Sequence, residues 1–483
     1  MVPGSEFGTR NPEPVFSIGE AMNIATLTAT ELLRLYRAKK LSPVEVTKAV
    51  HKRIDEYEPA HNAFVFRGDE DALAMARASE ARWVKGAPIG LVDGVPTTIK
   101  DLSPVKGWPW RRGSRTTSTD VAPEDAPAVA RLREHGAVLL GKTTAPEFGW
   151  KGTGDSPLTG STRNPWNTAK TSGGSSSGAG VCAALNLGFL HHGSDGAGSV
   201  RMPATFCGVF GHKPTYGRVP AWPHGALPMQ SHTGPLTRTV DDAALMMTVM
   251  TGPDHRDWLA PPPDGRDYRI ALDGGVRGLR VAFSPALGYV EVEPDIASAV
   301  RRAAERFAEL GAIVEERDPG FEDPRAPMEK FYVTNMAVTI DSIPKEQHAL
   351  MDPGYLRFGA AGRDVMGMEL ARAWVARDAL GRHMNEFHQR YDLLLTPSLP
   401  IPAFDVGHEV PPGSGMKEWL DWSQFHYPFN FTQQPAAVCP CGFTRDGLPI
   451  GLQIVGARYA DALVLQAARA YESAGPFVMP RES

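Results

Sequence analysis

Cysteine is scarce in this sequence, with only four residues among 483. So few thiols cannot build the disulfide framework that holds small secreted domains together. Cys439 and Cys441 stand in a Cys-Pro-Cys stretch, which is one residue short of the Cys-x-x-Cys motif and has no histidine cluster beside it. We therefore predict small buried thiols, with no metal site and no redox site.

Long apolar runs and an excess of one charge are also lacking. No segment approaches the ~18–20 consecutive apolar residues of a membrane span, and we expect no signal peptide. The net charge of −5 gives no indication of a nucleic-acid or membrane partner. We predict a cytoplasmic protein with neither partner. The opening MVPGSEFGTR resembles a cloning remnant, so we expect residues 1–14 to be tag and linker and residues 15–480 to form one domain.

Helix and strand patterns alternate along the chain. TATE at 28–31 and SPVE at 42–45 have the form of capping boxes, and an amphipathic run follows each. Residues 126–140 predict a helix, a glycine turn and a short buried strand, and residues 294–315 repeat that order. Such units predict an α/β fold in which helices cover a β-sheet.

The stretch GAVLLGKT at 136–143 matches the GxxxxGK[ST] pattern of phosphate-binding loops. Such a loop needs several backbone N–H groups free to bind one anion, and its interior is usually small and polar. Here the interior is Ala-Val-Leu-Leu, the pattern of a buried strand, and Pro146 follows where the helix should run. We therefore reject nucleotide binding and expect no cofactor.

The stretch GSSSG at 174–178 matches the GxSxG nucleophile elbow, with Ser176 as the nucleophile. The elbow needs a strand directly before it, but the preceding STRNPWNTAKTSG has no strand pattern. The later histidines His212, His232 and His426 stand in no recognisable context. An α/β-hydrolase esterase that uses Ser176 stays an alternative hypothesis.

Three other segments carry unusual features that belong together. They read GVPTTIKD at 94–101, TSGGSSSGAG at 171–180 and GSDGAGSVRMPATFCGVFGHKPT at 193–215. Lys100 ends a β-rich stretch, and burial there would lower its pKa and leave a neutral base. Small residues precede Ser199, and such a turn exposes backbone N–H groups beside a hydroxyl, which is the geometry of an oxyanion hole. Each segment alone has an ordinary structural explanation, but their joint occurrence indicates catalysis.

Together these segments resemble the amidase signature family of serine hydrolases, with a signature region at about 94–217. The likeness continues at 234–254 and at 429–456. The resemblance implies an α/β fold with a large twisted mixed β-sheet between layers of α-helices. It also implies an amidase that cleaves the C–N bond of a small carboxylic amide, releasing a carboxylate and ammonia or an amine, without a metal or an organic cofactor.

The family uses a Ser–cis-Ser–Lys triad, and the resemblance assigns each member to a residue of this chain. Ser199 matches the nucleophile that forms an acyl-enzyme. Ser175 matches the serine that relays the proton, and the peptide bond before it is expected to be cis. Lys100 matches the base.

The resemblance also implies residues that support the triad. The oxyanion hole would be formed by the backbone of Gly196, Ala197 and Gly198 together with the Ser199 amide. Ala197 stands where many family members have glycine, and we expect it to be tolerated. The supporting residues around the triad are expected to be Asp195 and Arg201, as an ion pair that holds the nucleophile loop, and Ser176.

The choice of substrate is less specific. The family includes the glutaminase component of tRNA-dependent amidotransferases, but residues 352–374 lack a segment characteristic of that component. We therefore favour a free-standing bacterial-type amidase, possible as a homodimer, over the glutaminase alternative.

Aromatic residues suggest a pocket for an apolar or aryl group. The candidate pocket residues are Phe148, Trp150, Trp422 and Phe425. The last two belong to an aromatic stretch that core packing would explain equally well. The pair His191-His192 is expected to be buried and satisfied, with substrate contact as the alternative.

Overall fold

The computed structural model describes residues 23–225, 227 and 229–480, so the stretch 1–14 expected to be tag and linker lies outside the described residues. The described residues form thirteen α-helices: α1 Ala29–Arg37, α2 Pro43–His61, α3 Asp69–Val84, α4 Pro127–Glu134, α5 Ser177–Leu185, α6 Arg201–Cys207, α7 Val240–Met250, α8 Pro294–Glu309, α9 Arg325–Asp341, α10 Pro353–Ala360, α11 Gly367–Phe387, α12 Tyr427–Phe431 and α13 Asp461–Ser473. They also form thirteen strands: β1 Phe64–Arg67, β2 Pro96–Lys100, β3 Val138–Thr143, β4 Asp155–Ser156, β5 Gly160–Ser161, β6 Leu190–Asp195, β7 Phe210–Lys213, β8 His232–Thr237, β9 Arg280–Phe283, β10 Ile313–Glu316, β11 Leu393–Pro397, β12 Ala436–Phe443 and β13 Pro449–Gly456.

Eleven of these strands share one mixed sheet, in the order β1-β3-β2-β6-β8-β7-β12-β13-β11-β9-β10. Strand β2 runs parallel to both of its neighbours, β3 and β6, whereas β6 and β8 are antiparallel. The predicted α/β fold with a large mixed sheet is confirmed. One sheet built from residues 64–456 agrees with a single domain, whose boundaries at 15 and 480 stay a prediction.

Helices begin where the local sequence predicts them. Thr28 and Ser42 each close a capping box with a glutamate three residues later, and Pro43 takes the first position of α2. The predicted helix–glycine–strand units are formed by α4 with β3 and by α8 with β10. The side chains of these capping residues satisfy backbone N–H groups that the helix itself leaves unpaired.

The phosphate-loop match at 136–143 lies mostly within β3. All six residues of this strand are buried, and it pairs with β1 on one side and β2 on the other. Because the strand ladder occupies its backbone groups, they cannot converge on an anion. The interpretation of this stretch as a buried strand is therefore confirmed.

Two groups of buried side chains flank the sheet. The larger one joins the central strands to α1–α8 and α13, and the smaller one packs α9–α12 around an aromatic cluster. Three of the four cysteines are buried as free thiols, and Cys441 is half-buried. In the parts of the chain that the structure describes, no helix has the length and apolar character needed to cross a bilayer.

Candidate active site

Lys100 is the last residue of β2, near the middle of the long sheet. Its side chain is fully buried. Burial holds the pKa of its amino group well below the usual range of a lysine, although Asp195 acts in the opposite direction. A lysine in this setting is a neutral amine, and it can accept a proton.

Serine oxygens surround the Lys100 amine. Nζ lies 2.7 Å from Ser175 Oγ, 2.9 Å from Ser176 Oγ and 3.0 Å from Ser194 Oγ. The Ser194 carbonyl oxygen lies 3.2 Å away. A neutral amine has two hydrogens to donate and one lone pair, so it can accept a hydrogen bond from one of these hydroxyls. Ser175 is the closest.

Ser175 lies in a tight turn directly before α5. The Gly174–Ser175 peptide bond is cis, as the sequence predicts. A side chain at Gly174 would come within 2.3 Å of the Thr153 carbonyl oxygen, and Gly173 has a φ of +74°. Both glycines are therefore required by the shape of this turn.

Ser176 does not have the surroundings of a nucleophile elbow. Its side chain is fully buried, and its hydroxyl contacts Lys100 and donates to the Ser194 carbonyl oxygen at 3.1 Å. The residues before it form a turn and not a strand, and no histidine is among the hydrogen-bond partners of its side chain in the described residues. The elbow alternative loses both features that it needs.

Ser199 lies in the turn between β6 and α6. Its carbonyl oxygen accepts a hydrogen bond from the Ser176 N–H at 3.1 Å, which joins the two serine turns. Gly198 takes the positive φ of this turn, at +125°, and a side chain there would collide with His426. Ala197 is not among the residues with positive φ, so alanine is tolerated at this position, as expected.

The backbone N–H groups of the turn divide into two sets. Gly198 N–H donates to Asp195 Oδ1 at 2.7 Å and is therefore already satisfied. The N–H groups of Gly196, Ala197 and Ser199 donate to no other described residue. Of the four expected oxyanion donors, three are free to bind a ligand, and Gly198 instead holds the loop in shape.

Asp195 and Arg201 form the predicted ion pair. Both side chains are fully buried, with Arg201 Nε 2.9 Å from Asp195 Oδ2. Burial alone would raise the pKa of Asp195, but Arg201 holds it well below its usual range. Asn430 and Gln453 accept further hydrogen bonds from the guanidinium. The pair fixes the loop because the carboxylate also binds the N–H groups of Gly198 and Val200.

A cavity of about 1000 Å³, including its mouth, opens over these residues. Polar residues of the serine turns and strand ends line one part of it: Ser175, His192, Ser194, Ser199 and Thr233. Aromatic residues line another part: Phe148, Trp150, Trp222, Tyr332 and Tyr355. None of the described residues that line the cavity is an aspartate, glutamate, lysine or arginine.

The four candidate pocket residues divide evenly. Phe148 and Trp150 line the cavity, as expected. Trp422 and Phe425 do not line it, and their assignment to the pocket was wrong. Both are fully buried, and Trp422 stacks on Phe206 with ring centroids 5.9 Å apart. The aromatic stretch is hydrophobic core because its rings find partners within the second buried group.

The cavity also has walls that the sequence did not indicate. Tyr332 and Met336 come from α9 and Tyr355 from α10, far along the chain from the signature region. Tyr355 contacts Phe148, with ring centroids 5.5 Å apart. Helical spacing predicts that such residues are buried, but it does not predict whether they face the core or a cavity.

The two histidines of β6 have different surroundings. His191 Nδ1 lies 2.9 Å from Thr98 Oγ1, as expected for a buried and satisfied residue. His192 is equally buried, yet it lines the cavity and its Nδ1 has no partner in another described residue. The expectation of a satisfied pair is therefore wrong for His192.

A metal site was not expected. In the described residues no group of three histidine, cysteine, aspartate or glutamate side chains is arranged to hold a metal ion. The absence of a metal or cofactor stays a prediction.

Comparison with known proteins adds an independent line of support. The sequence profile of the Amidase family matches residues 45–465. An acylamidase of Rhodococcus erythropolis is 38% identical over 466 residues, which cover 94% of this chain and 97% of that protein. The glutaminase component of the Glutamyl-tRNA(Gln) amidotransferase of Moorella thermoacetica is 34% identical over 480 residues, with 93% and 97% coverage. The crystal structure of a bacterial aryl acylamidase of the amidase signature enzymes superposes with a TM-score of 0.87 at 31% identity, covering 93% of this chain and 96% of that one.

Proposed function

The chain belongs to the amidase signature family and hydrolyses amides, and on that premise we propose that Ser199 is its nucleophile, Ser175 its proton relay and Lys100 its base. One observation carries the proposal. The Lys100 amine is fully buried and lies 2.7 Å from the hydroxyl of Ser175, which borders the same cavity as Ser199.

The first half of the proposed reaction forms an acyl-enzyme. A serine hydroxyl is a weak nucleophile until a base removes its proton. Neutral Lys100 takes the proton of Ser175 as Ser175 takes that of Ser199. The Ser199 oxygen then attacks the amide carbonyl carbon. The oxyanion that forms is bound by the free N–H groups of Gly196, Ala197 and Ser199.

The second half releases both products. Ser175 returns the proton to the amide nitrogen, which makes ammonia or an amine the leaving group as the C–N bond breaks. Water then attacks the acyl-enzyme, and the same residues carry its proton. The carboxylate leaves and Ser199 regains its hydrogen. Only side chains and backbone groups of this chain take part in these steps.

The cavity supports an uncharged substrate with an apolar or aryl group. An amino acid such as glutamine carries two charges, and burying them requires paired charges or several hydrogen bonds. The described lining offers no carboxylate, lysine or arginine for that purpose. Its aromatic residues fit the side of a ring instead. The acylamidase relatives have names that agree with this substrate class. We therefore propose a free-standing amidase, and not the glutaminase component of a larger complex.

Covalent labelling tests the assignment of the nucleophile. A fluorophosphonate probe should react with the wild-type protein, and peptide mapping should find the adduct on Ser199. Ser199→Ala should abolish labelling and lower hydrolysis of an anilide at least ~10³-fold. An adduct on Ser176 would replace this proposal with the elbow mechanism.

Substrate turnover tests the class. The chain alone should hydrolyse an uncharged anilide much faster than glutamine. Glutamine hydrolysis that appears only with added partner proteins would overturn the free-standing role. The cytoplasmic location, the homodimer and the absence of a nucleic-acid partner stay predictions.

A further inference from the structure

His192 is a buried polar side chain that the proposed mechanism does not use. It is 1% exposed and lines the catalytic cavity. Its Nδ1 finds no hydrogen-bond partner in any other described residue. Buried polar groups are nearly always paired, so an unpaired one that borders a cavity indicates a group that a ligand satisfies.

The strand places His192 on the proton-transfer side of the cavity. His192 and Ser194 are two residues apart on β6, so their side chains share one face of the sheet. Ser194 Oγ lies 3.0 Å from Lys100 Nζ, and the same amine lies 2.7 Å from Ser175 Oγ. Thr233 pairs with Ser194 across β6 and β8 and also lines the cavity.

The position relative to Ser175 decides which part of a substrate reaches His192. In the proposed reaction Ser175 gives a proton to the departing nitrogen, so that nitrogen must lie beside Ser175. The acyl oxygen must point the other way, toward the free N–H groups of the Ser199 turn. The residues next to Lys100 and Ser175 therefore border the leaving amine.

The chemical state of His192 suits recognition of a neutral amine. Burial lowers the pKa of His192 to about 3, and the neighbouring Lys100 acts in the same direction, as does Lys142. The ring is therefore neutral across the working range of pH. A neutral imidazole offers one N–H donor and one acceptor nitrogen. Groups that both donate and accept, such as a second NH₂, are matched to it.

We propose that His192, with Thr233, forms a leaving-amine subsite that favours amides whose nitrogen carries a second hydrogen-bonding group, such as hydrazides. The proposal rests on the assignment of Ser199 and Ser175 above. It makes His192 a specificity-determining residue, and His192 takes no part in proton transfer.

Two substrates that share one acyl group isolate this contact. A hydrazide ends in NH₂ where an N-methylamide ends in CH₃, so the two have similar shape and differ in hydrogen bonding. The quantity to measure is the ratio of their kcat/KM values. Their intrinsic difference in reactivity cancels when the ratios of two enzyme variants are compared.

His192→Leu should lower the hydrazide-to-methylamide ratio about tenfold, because it removes the hydrogen bond but keeps most of the volume. His192→Asn should regain part of the loss. His191→Leu is the matched control, since His191 is as buried and lies on the same strand but contacts Thr98. It should leave the ratio unchanged.

A fall of less than roughly threefold in active His192→Leu, or an equal fall in His191→Leu, would overturn the subsite. If His192→Leu does not fold, Thr233→Val decides the question by the same threshold, because valine has the shape of threonine without its hydroxyl. These outcomes are separate from the fate of the nucleophile. An active Ser199→Ala would instead refute the proposed function, whatever the ratio.

Discussion

The polar and the aromatic parts of the cavity differ in origin and in how tightly they are built. The polar part comes from strand ends and turns between residues 94 and 201, where fully buried ionic and hydroxyl groups hold one another. The aromatic part comes from residues 148–150 and from helices α9 and α10, which contact one another through rings. The first fixes the reacting atoms, and the second forms a wall whose shape selects the substrate.

This difference teaches where the chain tolerates change. A ring can be exchanged for another apolar group of similar volume at modest cost. A buried charge cannot lose its partner without a large one. We therefore expect substitutions in the polar part to act on the rate of catalysis and substitutions in the aromatic part to act on the choice of substrate.

The largest effect is expected at Lys100. Lys100→Met removes the base while keeping an unbranched apolar stem, and kcat/KM should fall roughly 10³-fold. In the wild type, only the neutral amine is active, so activity should rise as the pH rises through the pKa of Lys100. Because burial lowers that pKa, the rise should lie well below the pH at which a free lysine titrates. The pH profile of kcat/KM measures it.

The control for this prediction is the buried cation Lys142. It pairs with Asp101 at 3.0 Å and lies outside the proposed proton path. Lys142→Met should cost stability, yet the residual activity should keep its acid limb. If Lys100→Met retained that limb as well, another group would be the base.

Much of the polar part could be predicted from the sequence because its residues lie close together along the chain. Glycines and serines at fixed positions specify turns, and the β-rich stretch before Lys100 specifies a buried strand. What the sequence could not indicate is which N–H groups of the Ser199 turn remain free. That depends on Asp195 reaching Gly198, which only the folded loop determines.

An intermediate effect is expected at Asp195. Asp195→Asn leaves the Arg201 guanidinium buried without its counter-charge, which costs about 3–5 kcal/mol of the free energy of unfolding. It also loosens the turn that carries Ser199 and the oxyanion donors, so kcat should fall about 10²-fold per folded molecule. Thermal unfolding and steady-state kinetics on the same sample measure both.

A buried carboxylate away from the cavity provides the comparison. Asp93 is fully buried and pairs with Arg82 at 2.6 Å. Asp93→Asn should lower the melting temperature but leave kcat of the folded fraction near the wild-type value. Equal losses of kcat in the two variants would mean that Asp195 acts through stability alone.

The aromatic part was predicted only in part, and the reason is physical. Phe148 and Trp150 lie next to the signature strands and do line the cavity, whereas Trp422 is core. Hydrophobic patterns report that a side chain is buried, but a cavity wall and a packed core look the same in sequence. The helices that complete the wall, α9 and α10, reach the site only through long-range packing.

The smallest effect, and the one that most directly separates wall from core, is expected for Tyr355 against Trp422. Tyr355→Leu removes a ring that lines the cavity, so the preference for an anilide over an aliphatic amide of similar size should fall about tenfold, mainly through KM. Trp422→Leu removes a ring that only packs against Phe206 and Phe404. It should lower the melting temperature and leave that preference intact. A change of preference in the Trp422 variant, or none in the Tyr355 variant, would show that the boundary between core and wall lies elsewhere.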